Sequence, residues 1–344
     1  MYFQGKTKFS PWILLPMLLG PIADYYLMES FCINVFAETR WRAQLLNIMF
    51  FELILLALFF AIGHLAVALE VETLFFAFVG FLNYMVLSFR STPIVPWDIY
   101  SIRTGISVLG NYHLTIGARQ LLTFLGFAAV FLLQLPANWT PFRGRKKSWI
   151  PRTIGTALAV LLFFMLGTMT QNEKWIGKWR LYPFLFTPKI MGERNGFFVT
   201  YVMDCQYLFV EKPAGYSKEE AESILSAYKE ELPEGEELPN VIVIMDEAFS
   251  DLSVLGNLET NEDYMPYLHS LMESAENTET GTLHVSVKGG NTANTEFEFL
   301  TGDTQAFLPA GSIPYQQYIK GALPSALPQY LRSLGYETTA IHPY

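Results

Sequence analysis

Three short runs carry side chains that could do chemistry, each just after an apolar, β-branched stretch. Val241-Ile242-Val243-Ile244-Met245 leads into Asp246 and Glu247, Thr282 to Val287 leads into Gly289-Gly290-Asn291-Thr292, and Glu337 to Ile341 ends at His342. A threonine hydroxyl is a poor nucleophile at neutral pH and needs an adjacent base or a coordinated cation to lower its pKa. Glu247 supplies a carboxylate ligand. A single divalent ion held between Glu247 and Thr292 would activate the hydroxyl and neutralise charge on a transferring phosphoryl group. The glycines before Thr292 permit a tight turn, and Thr295 with Glu298 has the spacing of a capping box for the helix that follows. Thr292 is therefore expected near a helix N-terminus, where backbone N–H groups and the helix dipole favour an anionic group. The same residues admit plainer readings: Gly-Gly-x-Thr as a turn and cap, Glu247 as an acid at a helix start, His342 as a buried or terminal histidine.

Elements of a particular kind are needed to bring these residues together. The run 241–245 is uninterrupted and β-branched, as in strands buried on both faces. Between the three predicted strands, Asp263 to Glu276 and Pro324 to Leu334 read as helices, the second stopped by Gly335. Strand alternating with helix predicts a parallel α/β sheet, and sites in such sheets form beyond the carboxyl ends of the strands. Glu247, Thr292 and His342 would then share one edge.

The first half of the chain is of another kind. Of 344 residues, 51% are hydrophobic and 16% charged, a balance that membrane-spanning segments explain. Apolar stretches suited to a hydrocarbon core of about 30 Å occur near 11–32, 43–63, 67–89, 118–136 and 153–170, which predicts five spans. The loop before the fifth carries Arg143, Arg145, Lys146, Lys147 and Arg152 without an acid, the mark of a cytoplasmic loop. The N-terminus is then cytoplasmic and everything after about Gln171 extracellular. Met1-Tyr2-Phe3-Gln4-Gly5 resembles the remnant of a protease-cleavable tag and is set aside. The predicted organisation is a tag remnant over 1–5, a five-helix transmembrane domain over 6–172, a membrane-surface linker with an amphipathic helix over 173–239, and the first part of an extracellular α/β domain over 240–344.

Several polar residues fall in or beside the membrane. Asp24, Glu29, Glu52, Glu70 and Glu72 are costly in a span unless they face a polar interior or a boundary, and Glu52, nearest a segment centre, is the best functional candidate among them. Between the third and fourth spans, Pro93, Pro96, Trp97, Asp98, Tyr100 and Arg103 should lie at the outer interface. They fit an aromatic belt, or a platform for a lipid head group with Arg103 near its phosphate. Cys32 and Cys205 would both lie outside and read as unpaired, and no Cys/His cluster suggests zinc. The formal charge of −9 disfavours a nucleic-acid partner.

The run Asn240-Val-Ile-Val-Ile-Met-Asp-Glu-Ala-Phe-Ser-Asp-Leu252, followed by Gly289-Gly-Asn-Thr-Ala-Asn-Thr-Glu-Phe-Glu-Phe-Leu-Thr-Gly302, resembles the lipoteichoic acid synthase family. Phe307-Leu-Pro-Ala-Gly-Ser-Ile-Pro-Tyr315, Gly335-Tyr-Glu-Thr-Thr-Ala-Ile-His342 and the five spans fit as well. Those proteins are phosphoglycerol transferases of the alkaline phosphatase and sulfatase superfamily. The resemblance implies a sulfatase-like extracellular domain on a multi-pass protein of a cell membrane, Gram-positive in origin. It implies Glu247 as a ligand of one Mn2+ or Mg2+ ion, and Thr292 as both ligand and nucleophile. A phosphoglycerol-threonine intermediate would form from phosphatidylglycerol, releasing diacylglycerol, with a cell-envelope polymer or glycan as acceptor. His342 resembles a position near the family's substrate-binding histidine. Asp246 stands where relatives commonly have asparagine, and no ligand role is carried over to it. The remaining metal ligands, an Asp-His pair and another histidine, would come from beyond Tyr344, so the chain as it stands is expected to be inactive. Two further classes are weighed against this: a phosphoethanolamine transferase, which the two cysteines disfavour, and a non-catalytic membrane protein binding lipid or a partner.

Overall fold

Trp41–Ile62 is predominantly apolar, and within hydrocarbon such a segment must pair every backbone N–H and C=O internally, which a helix does. In the computed structural model it is one of five helices that build the first half: α1 Leu14–Ser30, α2 Trp41–Ile62, α3 Leu65–Arg90, α4 Ala118–Gln134 and α5 Trp149–Gln171. The structure describes residues 7–90, 92–101, 115–144, 146–184, 187–208, 212, 214–226, 239–246, 249–274, 276–281, 283–287, 292–308, 312–319, 321, 323 and 325–341. Among these, three segments are long and apolar enough to cross a membrane: Trp41–Ile62, Leu65–Ser88 and Trp149–Gln171. Ala118–Gln134 is apolar but shorter. The five expected spans thus appear as five helices, of which three qualify by length and composition. The 17 residues of α1, which include buried Asp24 and Glu29, rise about 26 Å, less than the hydrocarbon thickness. The 3-10 turn Pro11–Ile13 extends it at its start.

The bundle is held by aromatic packing. Tyr25, Met28 and Phe31 of α1, Phe51 of α2, Phe76 of α3 and Phe127 of α4 form one buried cluster, in which the Phe51 and Phe76 rings stack at 3.7 Å. Gly80 of α3 lets α1 approach: a Cβ there would lie 2.9 Å from Met28 Cγ and 3.0 Å from the Met28 carbonyl. On the outside, Leu122, Leu125, Leu133, Ile154, Leu161 and Phe164 are exposed, a surface suited to lipid.

Chain direction alternates through the five helices. At one end the basic loop meets the α2–α3 turn, where Arg152 Nε donates to the Phe60 carbonyl (3.2 Å) and Leu65 N donates to the Trp139 carbonyl (3.0 Å). At the other end Arg119 Nε donates to Ser30 O (2.6 Å), and Arg40 N donates to Arg194 O (3.2 Å).

That second end carries a folded crown: α6 Glu173–Trp179, α7 Pro188–Asn195, α8 Phe197–Asp204 and the 3-10 turn Cys205–Leu208. Buried amides lock it to the bundle. Asn47 Nδ2 donates to Asn195 O (2.7 Å), Val199 N donates to Asn47 Oδ1 (3.0 Å), and Phe197 N donates to Glu29 Oε1 (2.6 Å). Asn195 in turn exchanges two 2.8 Å bonds with the backbone of Tyr182. Gly196 joins α7 to α8 at φ +79°, and a Cβ there would sit 2.6 Å from Asn47 Nδ2. The stretch read from sequence as a linker is here part of the first compact unit, Met1–Leu208; the second is Phe209–Tyr344. Cys32 and Cys205 are both free.

In the second unit the described residues form helices and loops: α9 Lys218–Ser226, α10 Pro266–Ser274, α11 Thr292–Thr301 and the short helix Leu327–Ser333. No strand occurs among them, so the expected parallel sheet is not formed there. The reason lies in the nature of strands. Val241–Met245 is extended and bare, with Ile242 86% and Ile244 85% exposed, and β-structure requires ladder partners brought from far along the chain. The runs 283–287 and 337–341 likewise form no strand ladder, and Ile341 is exposed.

Candidate active site

Of the four site residues read from the sequence, Thr292 lies among the described residues; Glu247, His342 and Arg103 lie outside them. Thr292 is the first residue of α11 and is exposed; the Gly-Gly turn expected before it lies outside the described residues. The first-turn backbone N–H groups of a helix have no intrahelical acceptor, so a hydroxyl at this position stands beside donors suited to a phosphoryl oxygen.

The face of α11 opposite Thr292 explains why the helix sits where it does. Asn294, Thr295 and Phe297 are buried. Asn294 Nδ2 donates to Ser312 O (2.8 Å), Tyr315 Oη donates to Glu296 Oε1 (3.2 Å), and the Tyr315 ring meets Phe297 edge-on at 6.0 Å. Burial and the adjacent Glu296 charge push the Tyr315 phenol up to about 12. Ser312 and Tyr315 of the Phe307–Tyr315 motif therefore act as a strap that anchors the helix bearing Thr292.

Glu298 differs from expectation. Because α11 already begins at Thr292, Thr295 lies inside the helix and makes no capping box. Glu298 instead gathers three loop donors: Gln305 N (2.6 Å), Thr304 Oγ1 (3.1 Å) and Ser286 N (3.3 Å). Partial burial raises its pKa, but these donors outweigh that and hold the carboxyl below its usual range. It ties the segment before Thr292 to the loop after α11.

The segment that follows Asp246 is fixed by a second polar cluster that sequence reading did not single out. Tyr264 Oη donates to Asp251 Oδ1 and Ser253 N donates to the same oxygen (2.8 Å), holding Asp251 well below the usual carboxylate range. His269 of α10 bridges two acids, with Nδ1 2.7 Å from Asp263 Oδ1 and Nε2 3.4 Å from Asp251 Oδ2. Burial works against its protonation, but those two carboxylates prevail and raise its pKa. The Asp-x11-Asp-x5-His spacing was available in the sequence, yet nothing local marked it.

A divalent ion suits the donors this chain offers. Threonine and glutamate oxygens are hard ligands of the kind Mg2+ and Mn2+ take, and the exposed Thr292 hydroxyl is accessible to one. Among the described residues no group of three or more His, Cys, Asp or Glu could hold a metal.

Residues 239–344 match the family model described as Sulfatase. Proteins of that family typically use a divalent metal ion. Over 196 residues the chain is 37% identical to a protein of Rhizobium meliloti (strain 1021) described as a putative cyclic beta-1,2-glucan modification protein. That alignment takes in 56% of this chain and 29% of the relative, so the chain spans less than a third of the curated relative it matches. No solved structure matches the chain. The C-terminal segment thus carries a sulfatase-type match, and the N-terminal half a bundle of helices of which three, among the described residues, are long and apolar enough to cross a membrane.

Proposed function

We propose that the full protein is a membrane-bound phosphoglycerol transferase, taking glycerol phosphate from phosphatidylglycerol and delivering it to a cell-envelope glycan, with its catalytic domain extracellular. The observation that carries this reading is the exposed Thr292 at the head of α11, inside a segment matched to Sulfatase, in a chain whose other half is apolar helices. The description of the Rhizobium relative as a putative cyclic beta-1,2-glucan modification protein favours a glycan as acceptor over a glycerol-phosphate polymer.

Thr292 Oγ attacks the phosphorus of the lipid; the O–P bond to Thr292 forms as the bond to the diacylglycerol oxygen breaks. The hydroxyl proton leaves Thr292, and diacylglycerol departs protonated. In the second half an acceptor hydroxyl attacks the same phosphorus, gives up its proton and releases Thr292. A bound Mn2+ or Mg2+ would lower the pKa of the Thr292 hydroxyl and offset charge on the phosphoryl oxygens. Glu247 and Thr292 would hold it, with ligands from elsewhere in the protein. The Ser312–Tyr315 strap and the Glu298 tie anchor α11, which would hold the Thr292 oxygen and the first-turn N–H groups toward one substrate position.

The test is a full-length protein assayed for diacylglycerol release from phosphatidylglycerol. Thr292→Ala should lower turnover by at least about 10³-fold while leaving the thermal midpoint within a few degrees, because the side chain is exposed. Thr292→Ser should retain part of the activity and trap a glycerophosphate adduct visible in the intact mass. Undiminished turnover in Thr292→Ala would refute the assignment.

A further inference from the structure

Where α1 ends and α4 begins, at the crown end of the bundle, a groove of about 410 Å³ is lined by Tyr26, Ser30, Ile33, Asn34, Phe36 and Arg119, with Val35 at its base. Three features of it point to one kind of occupant. Its cation is available: Arg119 is exposed, and it spends Nε and Nη2 on the carbonyls of Ser30 and Ile33. A guanidinium has five N–H donors, so three are left beyond these two bonds, and no carboxylate forms a salt bridge with it among the described residues. Its wall is apolar: the Tyr26 and Phe36 rings stack at 5.0 Å, and Phe36 is 79% exposed, as an interfacial aromatic is. An apolar surface adjoins it: Leu121, Leu122 and Leu125, all exposed, follow Arg119 within two turns of α4.

We propose that this groove binds the anionic head group of a membrane phospholipid, with Arg119 as the phosphate ligand and the Tyr26–Phe36 pair against the glycerol backbone. The hydrogen bonds to Ser30 and Ile33 fix the guanidinium plane, so its free edge is presented with little further loss of side-chain freedom. Arg40 and Arg42 add positive charge at the same end, and Glu38 is held back by accepting from Asn34 N (3.1 Å). A soluble anion would use the guanidinium but not the aromatic wall or the leucine surface beside it. The site belongs to the first compact unit and does not depend on the Thr292 chemistry, so its test involves no turnover.

The experiment is native mass spectrometry of the 344-residue protein titrated with phosphatidylglycerol or phosphatidylcholine. The wild-type protein should retain one phosphatidylglycerol in preference to phosphatidylcholine. Arg119→Gln should weaken that binding by roughly tenfold, the worth of one charge-assisted pair, with phosphatidylcholine retention unchanged. Phe36→Ala, at a side chain too exposed to matter for folding, should weaken it by about threefold. Equal binding by both variants overturns the proposal, as does displacement of the lipid by millimolar inorganic phosphate, which would mark a soluble-anion site. Should Arg119→Gln fail to fold, Phe36→Ala decides: weakened binding upholds the groove, and unaltered binding removes it.

Discussion

Replacing Asn47 by alanine tests whether the crown is part of the membrane domain. The amide makes three bonds: Nδ2 donates to Ala43 O (2.8 Å) and Asn195 O (2.7 Å), and Oδ1 accepts from Val199 N (3.0 Å). Ala43 O keeps its helical partner when the side chain is removed. Asn195 O and Val199 N do not, and both belong to buried residues. Each buried group left without a partner costs about 1–3 kcal/mol, so Asn47→Ala should destabilise the first unit by roughly 2–6 kcal/mol. At about 2–4 °C per kcal/mol for a unit of this size, the thermal midpoint should fall by roughly 5–20 °C. The assay is thermal unfolding in detergent micelles followed by tryptophan fluorescence, since Trp175 and Trp179 lie in the crown. Limited proteolysis at Arg180, Lys189 and Arg194 should accelerate in parallel. Asn47→Asp retains the acceptor for Val199 N but loses the donor, and should fall between. A midpoint for Asn47→Ala within about a degree of wild type, with unaltered proteolysis, would show that the amide network does not hold the crown.

Two further outcomes follow from titrating groups outside the spans. Asp204 is fully buried with both carboxylate oxygens unpartnered, and burial pushes its pKa up to about 8. Because the folded state holds this proton more tightly than the unfolded chain, stability should decline as pH rises from about 4 to 8. The total is on the order of 5 kcal/mol, and Asp204→Asn should flatten the profile; a wild-type midpoint that does not fall over that range would refute it. His269 is raised by Asp263 and Asp251 against the opposing effect of burial, so its contribution is fully present below the usual histidine pKa and lost as pH rises through the raised one. Ring carbon shifts of His269 should report that raised titration in wild type and a return toward the ordinary value in Asp263→Asn; identical curves would remove the bridge.

Much of the architecture was legible along the chain because it rests on local rules. Trp41–Ile62 and Trp149–Gln171 are helices since an apolar segment of that length has no other way to pair its backbone in hydrocarbon. Thr292 heads a helix since the residues after it sustain α11. The function of Glu298 was not legible: its spacing to Thr295 satisfies a capping box, and only the fold reveals that its carboxylate serves Ser286, Thr304 and Gln305. Nor did 173–208 read as a docked crown. The residues that dock it, Glu29, Asn47 and Asn195, are polar positions scattered over 166 residues, and they acquire meaning only when α1, α2 and α7 converge.

By itself, then, the sequence determined the membrane helices, the helix at Thr292 and the sulfatase-type segment, because hydrophobic length and motif are properties of contiguous residues. The tertiary structure alone decided which amides anchor the crown, what Glu298 binds, and that Arg119 stands in a groove. Among the described residues, Val241–Met245 has no ladder partner. Each of these depends on groups brought together from distant parts of the chain, and a strand or a buried amide has no stable state until those partners arrive.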